Sequence, residues 1–228
     1  MGVPRKLYDR DRTKRVQSFL ADAFYDYVGA RVLFGARLPK QAAILSSTAI
    51  EKSFKAILAF RGNESWGHLK TAHWNAVRNF DTELFSELDL DFIKLNQKAY
   101  ELRYTESLPV DFNLIIASRE FLAELDHSIN SIFRRFKIEI NGKVQPTPYY
   151  AAVEAHDTRV IEDNHIISGQ NKTEFVTQTG QFVYEIRNDP KLGLLEVTYE
   201  TMPTSEWKAK GFLRPGLVPR ESPDDSSR

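Results

Sequence analysis

The spacing of apolar residues changes near residue 136, and this change constrains the fold more than any other feature. Before Phe136, apolar residues recur in steps of three and four, the pattern of one buried helical face. After it, they alternate with polar residues, as in half-buried strands. Charge changes there too, because residues 1–136 carry 20 basic and 17 acidic side chains, whereas residues 137–228 carry 11 and 14. The sequence predicts an α+β protein, with an antiparallel bundle of four to five helices followed by a small antiparallel β domain.

The bundle is predicted from amphipathic stretches with clear ends. Pro39 cannot donate a backbone hydrogen bond and ends the first stretch. Asp81 and Asp111 are suitable N-caps for later helices, and Leu108-Pro109 separates the last two. The loop from Gly62 to about Phe80 has room for one short helix. The four long helices are predicted over residues 16–38, 40–60, 82–106 and 111–136.

The second half predicts about five short strands. Asn141-Gly142 is a hairpin turn signal after the alternating Ile138 and Ile140. The other apolar runs taken as strands are Thr158–Ile161, His165–Ser168, Thr173–Thr179, Gln181–Arg187 and Leu195–Tyr199. The predicted organisation is therefore a basic N-terminal arm (1–15), the helical bundle (16–136), a small β-rich domain (137–202) and a disordered tail (203–228).

Composition excludes several classes of protein. The chain has no cysteine, which excludes a disulfide scaffold, a thiolate metal site and a thiol nucleophile. It has no apolar run long enough for a membrane span and no secretory signal pattern, so we expect a cytoplasmic protein without a membrane partner. Its 31 basic and 31 acidic side chains argue against a general nucleic-acid coat but leave room for a local basic pocket.

The string Ala49–Ala56 is the first candidate site. Glu51 and Lys55 are four residues apart, so they predict an ion pair on the polar face of a helix. Alternatively, Lys52 and Lys55 project into an anion-binding groove between helices. Sequence alone favours the ion pair and leaves the groove open.

Two further strings carry groups suited to a nucleotide. His68 and Lys70 lie in the predicted loop after the second helix, where histidine most often packs or caps but also serves to bind a phosphate or base. Arg103 and Tyr104 end the third predicted helix, where a cation is favoured by the helix dipole. A guanidinium beside an aromatic ring is also suited to hold a phosphate and a base.

Other catalytic and cofactor motifs are missing. The sequence has no His-Glu-x-x-His, no phosphate-binding Gly-x-x-x-x-Gly-Lys-Ser/Thr loop, no Gly-x-Gly-x-x-Gly and no Gly-x-Ser-x-Gly elbow. We therefore expect neither a metal site nor a cofactor.

The helical half resembles the HEPN domain family over roughly residues 16–136. The resemblance rests on Ala49-Ile50-Glu51-Lys52 with Lys55-Ala56, then His68-Leu69, then Arg103-Tyr104 before a proline-containing turn. It implies a four- or five-helix bundle that is usually a homodimer. It also implies a role in nucleotide or RNA metabolism, commonly in toxin–antitoxin or phage-defence systems.

Many HEPN proteins are metal-independent ribonucleases with an arginine and a histidine separated by four to six residues near the end of the bundle. Here Arg103 has no such histidine after it. The other close pairs have the wrong spacing or the wrong location, and they are Arg61/His68, Arg119/His127 and Arg159/His165. This departure favours binding over catalysis.

The leading hypothesis is a HEPN-like cytoplasmic module that binds a nucleotide, RNA or a partner protein and forms a homodimer through the bundle. Its predicted groove is lined by Lys52, Lys55, His68, Lys70, Arg103 and Tyr104. The first alternative is a ribonuclease toxin that uses His68 and Arg103 as catalytic residues. The second is an interaction scaffold without a ligand site, in which an edge of the sheet pairs with another chain.

Overall fold

A computed structural model describes residues 10–63, 67–140 and 142–201. These residues form ten α-helices and five strands, which confirms the α+β class. The α-helices are α1 (Arg10–Gly35), α2 (Pro39–Phe60), α3 (Thr71–Phe80), α4 (Thr82–Glu87), α5 (Leu90–Ala99), α6 (Ser118–Phe133), α7 (Pro148–Glu154), α8 (Thr158–Ile161), α9 (His165–Ser168) and α10 (Lys172–Thr177). The strands are β1 (Asn113–Ala117), β2 (Ile138–Ile140), β3 (Lys143–Gln145), β4 (Gln181–Asp189) and β5 (Gly193–Thr201).

Helices α1 and α2 pack closely against each other. The bounds of α2 agree with the periodicity, whereas α1 begins at Arg10, before the predicted start at Val16, and ends at Gly35. Pro39 occupies the first turn of α2, where its missing N–H costs nothing. At Gly29 of α1, an added Cβ would lie only 2.7 Å from Cδ1 of Leu45 on α2. A side chain at this position would therefore require the flexible end of the Leu45 side chain to move.

The third predicted helix is interrupted. Asp89 accepts hydrogen bonds from the N–H groups of Asp91 and Phe92, so it caps a new helix, α5, directly after α4. After α5 the chain tightens into two 3₁₀ turns, Tyr100–Arg103 and Thr105–Ser107. Arg103 and Tyr104 consequently lie in this turn region and not on a long α-helix.

The prediction that a helix starts at Asp111 is wrong for its first residues. Residues 113–117 form β1, which pairs antiparallel with β4 from Asn113↔Arg187 to Ala117↔Val183. The partner strand is distant in sequence, so local periodicity gave no sign of it. Helix α6 then begins at Ser118.

The predicted strands over 158–161, 165–168 and 173–179 are also wrong, because α8, α9 and α10 occupy them. The side chains of Asp157, Asn164 and Asn171 each accept backbone N–H groups at the start of these short helices. In contrast, the structure confirms the hairpin of β2 and β3, and it places β4 and β5 where the alternating runs predicted strands.

One antiparallel sheet and one hydrophobic cluster include residues from both sides of residue 137. The sheet order is β1-β4-β5. The ring of Phe34 stacks on that of Phe121 with 4.7 Å between centroids and meets Tyr184 of β4 edge-on at 5.7 Å. Tyr149 of α7 and Val160 of α8 are buried in the same cluster.

Some predicted segments fall partly or wholly outside the described residues. Residues 10–15 of the predicted basic arm belong to α1, and residues 1–9 lie outside the description, as does the predicted tail at 203–228. In the described part of the chain, no helix is both long and apolar enough to cross a bilayer.

Candidate functional site

The loop between α2 and α3 and the first 3₁₀ turn form a surface that we call the aromatic–cation patch, defined by His68, Tyr100, Arg103 and Tyr104. The imidazole of His68 stacks on the ring of Tyr100 with 4.0 Å between centroids. The guanidinium carbon of Arg103 lies 4.8 Å from the same centroid, within range of a cation–π interaction. The ring of Tyr104 is 6.1 Å from that of Tyr100.

The patch presents the rings of His68 and Tyr104 to solvent. Tyr104 is 57% exposed, whereas Tyr100 is half-buried. Burial, and then the adjacent Tyr104, raise the pKa of Tyr100 to about 12, so its phenol stays neutral at physiological pH. Since Tyr100 is already stacked with protein groups, Tyr104 is the ring available to an added aromatic group.

Buried Glu51 holds the loop of the patch against α2. Its Oε2 accepts a hydrogen bond from the Leu69 N–H at 3.0 Å, and its Oε1 accepts one from the Lys55 ammonium at 2.7 Å. Nδ1 of His68 lies 3.6 Å from the same Oε2. Glu51 is only 6% exposed, so these contacts compensate a carboxylate that has lost most of its water.

His73 supports the same loop from α3. The backbone N–H of Lys70 donates to its Nδ1 at 3.0 Å, which fixes the neutral tautomer with the proton on Nε2. Burial, together with the Lys55 cation, lowers the pKa of His73, so the ring is neutral near pH 7. We interpret His73 as a residue that orders the loop.

The predicted site residues divide into two groups. His68, Arg103 and Tyr104 meet around Tyr100, and the exposed Lys70 follows His68 in the loop. Lys52 instead forms an ion pair with Asp26 of α1 at 2.8 Å. Lys55 forms the ion pair with Glu51 that the spacing predicts, so its charge is already compensated.

Sequence reasoning missed the role of Tyr100 and the burial of Glu51. Tyr100 precedes Arg103 by three residues and Tyr104 by four, which are the spacings at which side chains on one helical turn meet. That spacing is a usable signal. No sequence signal indicated the burial of Glu51, because that burial depends on the loop folding back over α2.

The arginine–histidine pairs that are close in sequence have separate partners. Arg119 lies over the ring of Phe175, 4.1 Å from its centroid, and its Nε donates to the Phe175 carbonyl at 2.6 Å. His127 instead contacts the Glu87 carbonyl through Nε2 at 2.9 Å. Arg159 binds Asp157, so it too is engaged away from its sequence neighbour His165.

A second polar cluster lies in the interior between α1 and α6. We call it the buried network and define it by Tyr27, Arg31 and Asp126. The Tyr27 hydroxyl donates to Oδ1 of Asp126 at 2.8 Å, and Nη1 of Arg31 lies 2.5 Å from Oδ2. Arg31 also donates to the Arg159 and Glu162 carbonyls. The network ties α1 to α6 and to the ends of α8.

Burial governs the ionisation of this region. It raises the pKa of Asp126 to about 6 although the Arg31 cation acts in the opposite direction. On α9, His165 stacks on Phe175 at 5.5 Å, and burial together with the neighbouring His127, Lys172 and Arg31 lowers its pKa to about 4. Nearby, Lys172 forms an ion pair with the buried Glu124.

Comparison of the chain with protein-family models, curated proteins and solved structures gave no match. In the described ranges, no cluster of three or more histidine, aspartate or glutamate side chains is arranged to hold a metal ion. The functional interpretation therefore depends on the geometry of the two polar clusters.

Proposed function

We propose that the protein is a HEPN-like binding module whose aromatic–cation patch binds a nucleotide or a short stretch of single-stranded RNA. The observation that carries the proposal is the exposed ring of Tyr104 beside an arginine held on Tyr100. The buried network has no comparable role, because its charges are compensated within the protein.

The chemistry of the patch suits a base and a phosphate. A base that stacks on a protein aromatic ring gains about 1–3 kcal/mol. A guanidinium offers paired donors to phosphate oxygens, and Arg103 and Lys70 form no ion pair with any described carboxylate. The contacts of Glu51 with His68 and with the Leu69 N–H hold His68 in place, which reduces the entropy cost of binding.

The test is a titration of the purified full chain with a 5′-labelled RNA pentanucleotide and, separately, with adenosine and guanosine monophosphates. Tyr104→Ala should weaken binding about tenfold, because the stacking surface is lost. Tyr25→Ala is the matched control, since Tyr25 is a 71% exposed tyrosine on α1. Absence of binding at millimolar ligand, or equal loss in both variants, would contradict the proposal.

A specific observation favours a second candidate function, metal-independent RNA cleavage. His68 lies 3.6 Å from a buried carboxylate and shares Tyr100 with Arg103, so a base, an orienting group and a cation are adjacent. His68 would take the 2′-hydroxyl proton as the 2′-oxygen bonds to phosphorus, the P–O5′ bond would break, and the leaving 5′-oxygen would take a proton from water. Arg103 would stabilise the charge that develops on the phosphate.

This candidate predicts RNA cleavage in the presence of EDTA, with 2′,3′-cyclic phosphate products. The activity should be lost in His68→Ala and Arg103→Ala and kept in Tyr25→Ala. RNA that stays intact after prolonged incubation with the pure protein would exclude cleavage while leaving the binding proposal in place.

A further inference from the structure

Strand β5 is the outer strand of the three-stranded sheet. It has nine residues, Gly193–Thr201, and in the described part of the chain β4 is its only strand neighbour. Its outer edge therefore carries backbone donors and acceptors that the sheet itself does not use. Proteins often protect such edges with proline or lysine, and the strand contains neither.

One face of β5 carries an apolar stripe of Leu195, Val197 and Tyr199. Val197 is 41% exposed even though it lies at the middle of the strand. The opposite face carries Glu196 and Glu200. Among the described residues the outer edge of β5 has no strand partner, and the apolar stripe has Val197 exposed at its middle; this combination favours strand addition by a partner with a matching stripe.

We propose that β5 pairs antiparallel with β5 of a second copy of this chain, about a two-fold axis at Val197. This axis is perpendicular to the sheet, so it keeps each side chain on the same face in both copies. Residues directly opposite each other in an antiparallel pair also share a face, so the axis must lie at a residue and not between two residues. Centred on Val197, the pairing sets Leu195 opposite Tyr199 of the second copy and Glu196 opposite Thr198. Val197 meets its own symmetry mate.

The charges of β5 select this register over its neighbours. A register centred on Glu196 sets the two Glu196 side chains directly opposite each other. A register centred on Thr198 sets Glu196 opposite Glu200 twice. Like charges directly opposite destabilise a strand pair, whereas the register at Val197 has none. Val197 is also the midpoint of Gly193–Thr201, so this register alone pairs the full strand.

The self-complementary pattern identifies a second copy as the occupant. The same stripe read in the opposite direction supplies its own partner, so no other sequence is needed. The two sheets of order β1-β4-β5 then become one continuous sheet across the two-fold axis. The interface uses no residue of the aromatic–cation patch, so it does not depend on the proposed function.

The test is the mass of the full chain in solution, measured by analytical ultracentrifugation from about 1 to 100 µM, a range suited to an interface of modest size. We expect a dimer of the 26.2 kDa chain. Val197→Lys sets two ammonium groups opposite each other and should raise the dissociation constant at least about tenfold. Val144→Lys is the control, because Val144 is an exposed valine on β3.

Charge-reversal rescue distinguishes lost pairing from lost folding. Val197→Lys and Val197→Glu should each be monomeric when alone and should form a mixed dimer when combined, because opposite charges then face each other. A monomeric wild type, a Val197→Lys protein that still dimerises, or a mixture that stays monomeric would overturn the proposal.

Discussion

The aromatic–cation patch and the buried network contain similar residue types in opposite surroundings. Each has an arginine beside a tyrosine; Asp126 belongs to the buried network, and the carboxylate of Glu51 lies next to His68 of the patch. In the patch, Tyr104 and Arg103 face solvent and have hydrogen-bonding and stacking capacity left for a ligand. In the buried network, Arg31 and Asp126 satisfy each other. The comparison shows that exposure, and not residue type, separates a binding surface from a structural joint.

The two regions also differ in the energetic cost of removing a charged side chain. A buried ion pair that loses one member leaves an uncompensated charge, whereas an exposed group returns to water. Substitutions in the buried network should therefore alter stability strongly and binding only through folding. Substitutions in the patch should alter binding strongly and stability little. Measurements of stability and affinity on the same variants therefore distinguish the two regions.

The largest expected effect is that of Asp126→Ala. It leaves the guanidinium of Arg31, which is only 7% exposed, without its carboxylate, and should lower the free energy of unfolding by about 3–5 kcal/mol. Urea denaturation measures this loss. The double variant Arg31→Met with Asp126→Leu should recover much of it, because no charge is then left buried.

The control for Asp126→Ala is Asp91→Ala. Asp91 forms an exposed ion pair with Lys94 at 3.0 Å, and its loss should cost no more than about 0.5 kcal/mol. Equal losses of unfolding free energy in the two variants would show that Arg31 and Asp126 do not compensate each other's charge.

The second effect concerns pH. The pKa of His165 is lowered to about 4 in the fold, so its contribution to stability is present above its unfolded pKa of about 6.5 and is lost as pH falls towards 4. The pKa of Asp126 is raised to about 6, so its contribution is present below about pH 4 and is lost as pH rises through 6. Between about pH 4 and pH 6, a rise in pH therefore strengthens the contribution of His165 to stability and weakens that of Asp126.

His165→Gln should remove the acid-sensitive contribution. The stability of the variant relative to wild type should rise by about 3 kcal/mol between pH 7 and pH 4. Urea denaturation at several pH values measures this change. Parallel profiles for wild type and His165→Gln would contradict the assignment.

The third effect is that of Glu51→Gln, which tests how firmly the patch is held. The neutral side chain loses the ion pair with Lys55 and weakens the bond from the Leu69 N–H, so unfolding should become easier by about 1–2 kcal/mol. Affinity for the nucleotide should also fall, because the loop that carries His68 is less ordered. Glu101→Gln, an exposed glutamate in the first 3₁₀ turn, should change neither property.

The smallest effect on stability is expected for Arg103→Gln. It removes an exposed cation–π contact of about 0.5–1 kcal/mol on Tyr100. Its effect on binding should appear in the salt dependence, since each phosphate contact to single-stranded RNA contributes a slope of about −0.7 in log K against log salt. An unchanged slope would remove Arg103 from the phosphate contacts.

The sequence was most informative where structure is local. The apolar spacing predicted both α1 and α2; it gave the bounds of α2 closely but missed the first turns of α1, which begins at Arg10. β1 was missed because its partner β4 lies far away in sequence, so no local pattern contains it. The short helices α8 to α10 were mistaken for strands because four to six apolar-rich residues fit either period. Their capping residues, among them Asn164 and Asn171, were the better signal.

The candidate site was partly predictable for the same reason. Arg103 and Tyr104 are neighbours in sequence, and the structure brings His68 to them through Tyr100. The ion pair of Lys52 with Asp26 depends on how α1 lies against α2, which no spacing along one helix reveals. The buried network could not be predicted from the spacing along one helix either, because its members come from both α1 and α6.

The pairing of β1 with β4 also sets an order of events during synthesis. A chain that has emerged only as far as α10 already contains β1, with the apolar sequence Leu114-Ile115-Ile116, but its partner strand has not yet been made. Until β4 arrives, that segment is an open template for pairing with other nascent chains. Because β4 is made long after β1, it protects this segment from aggregation only late in synthesis.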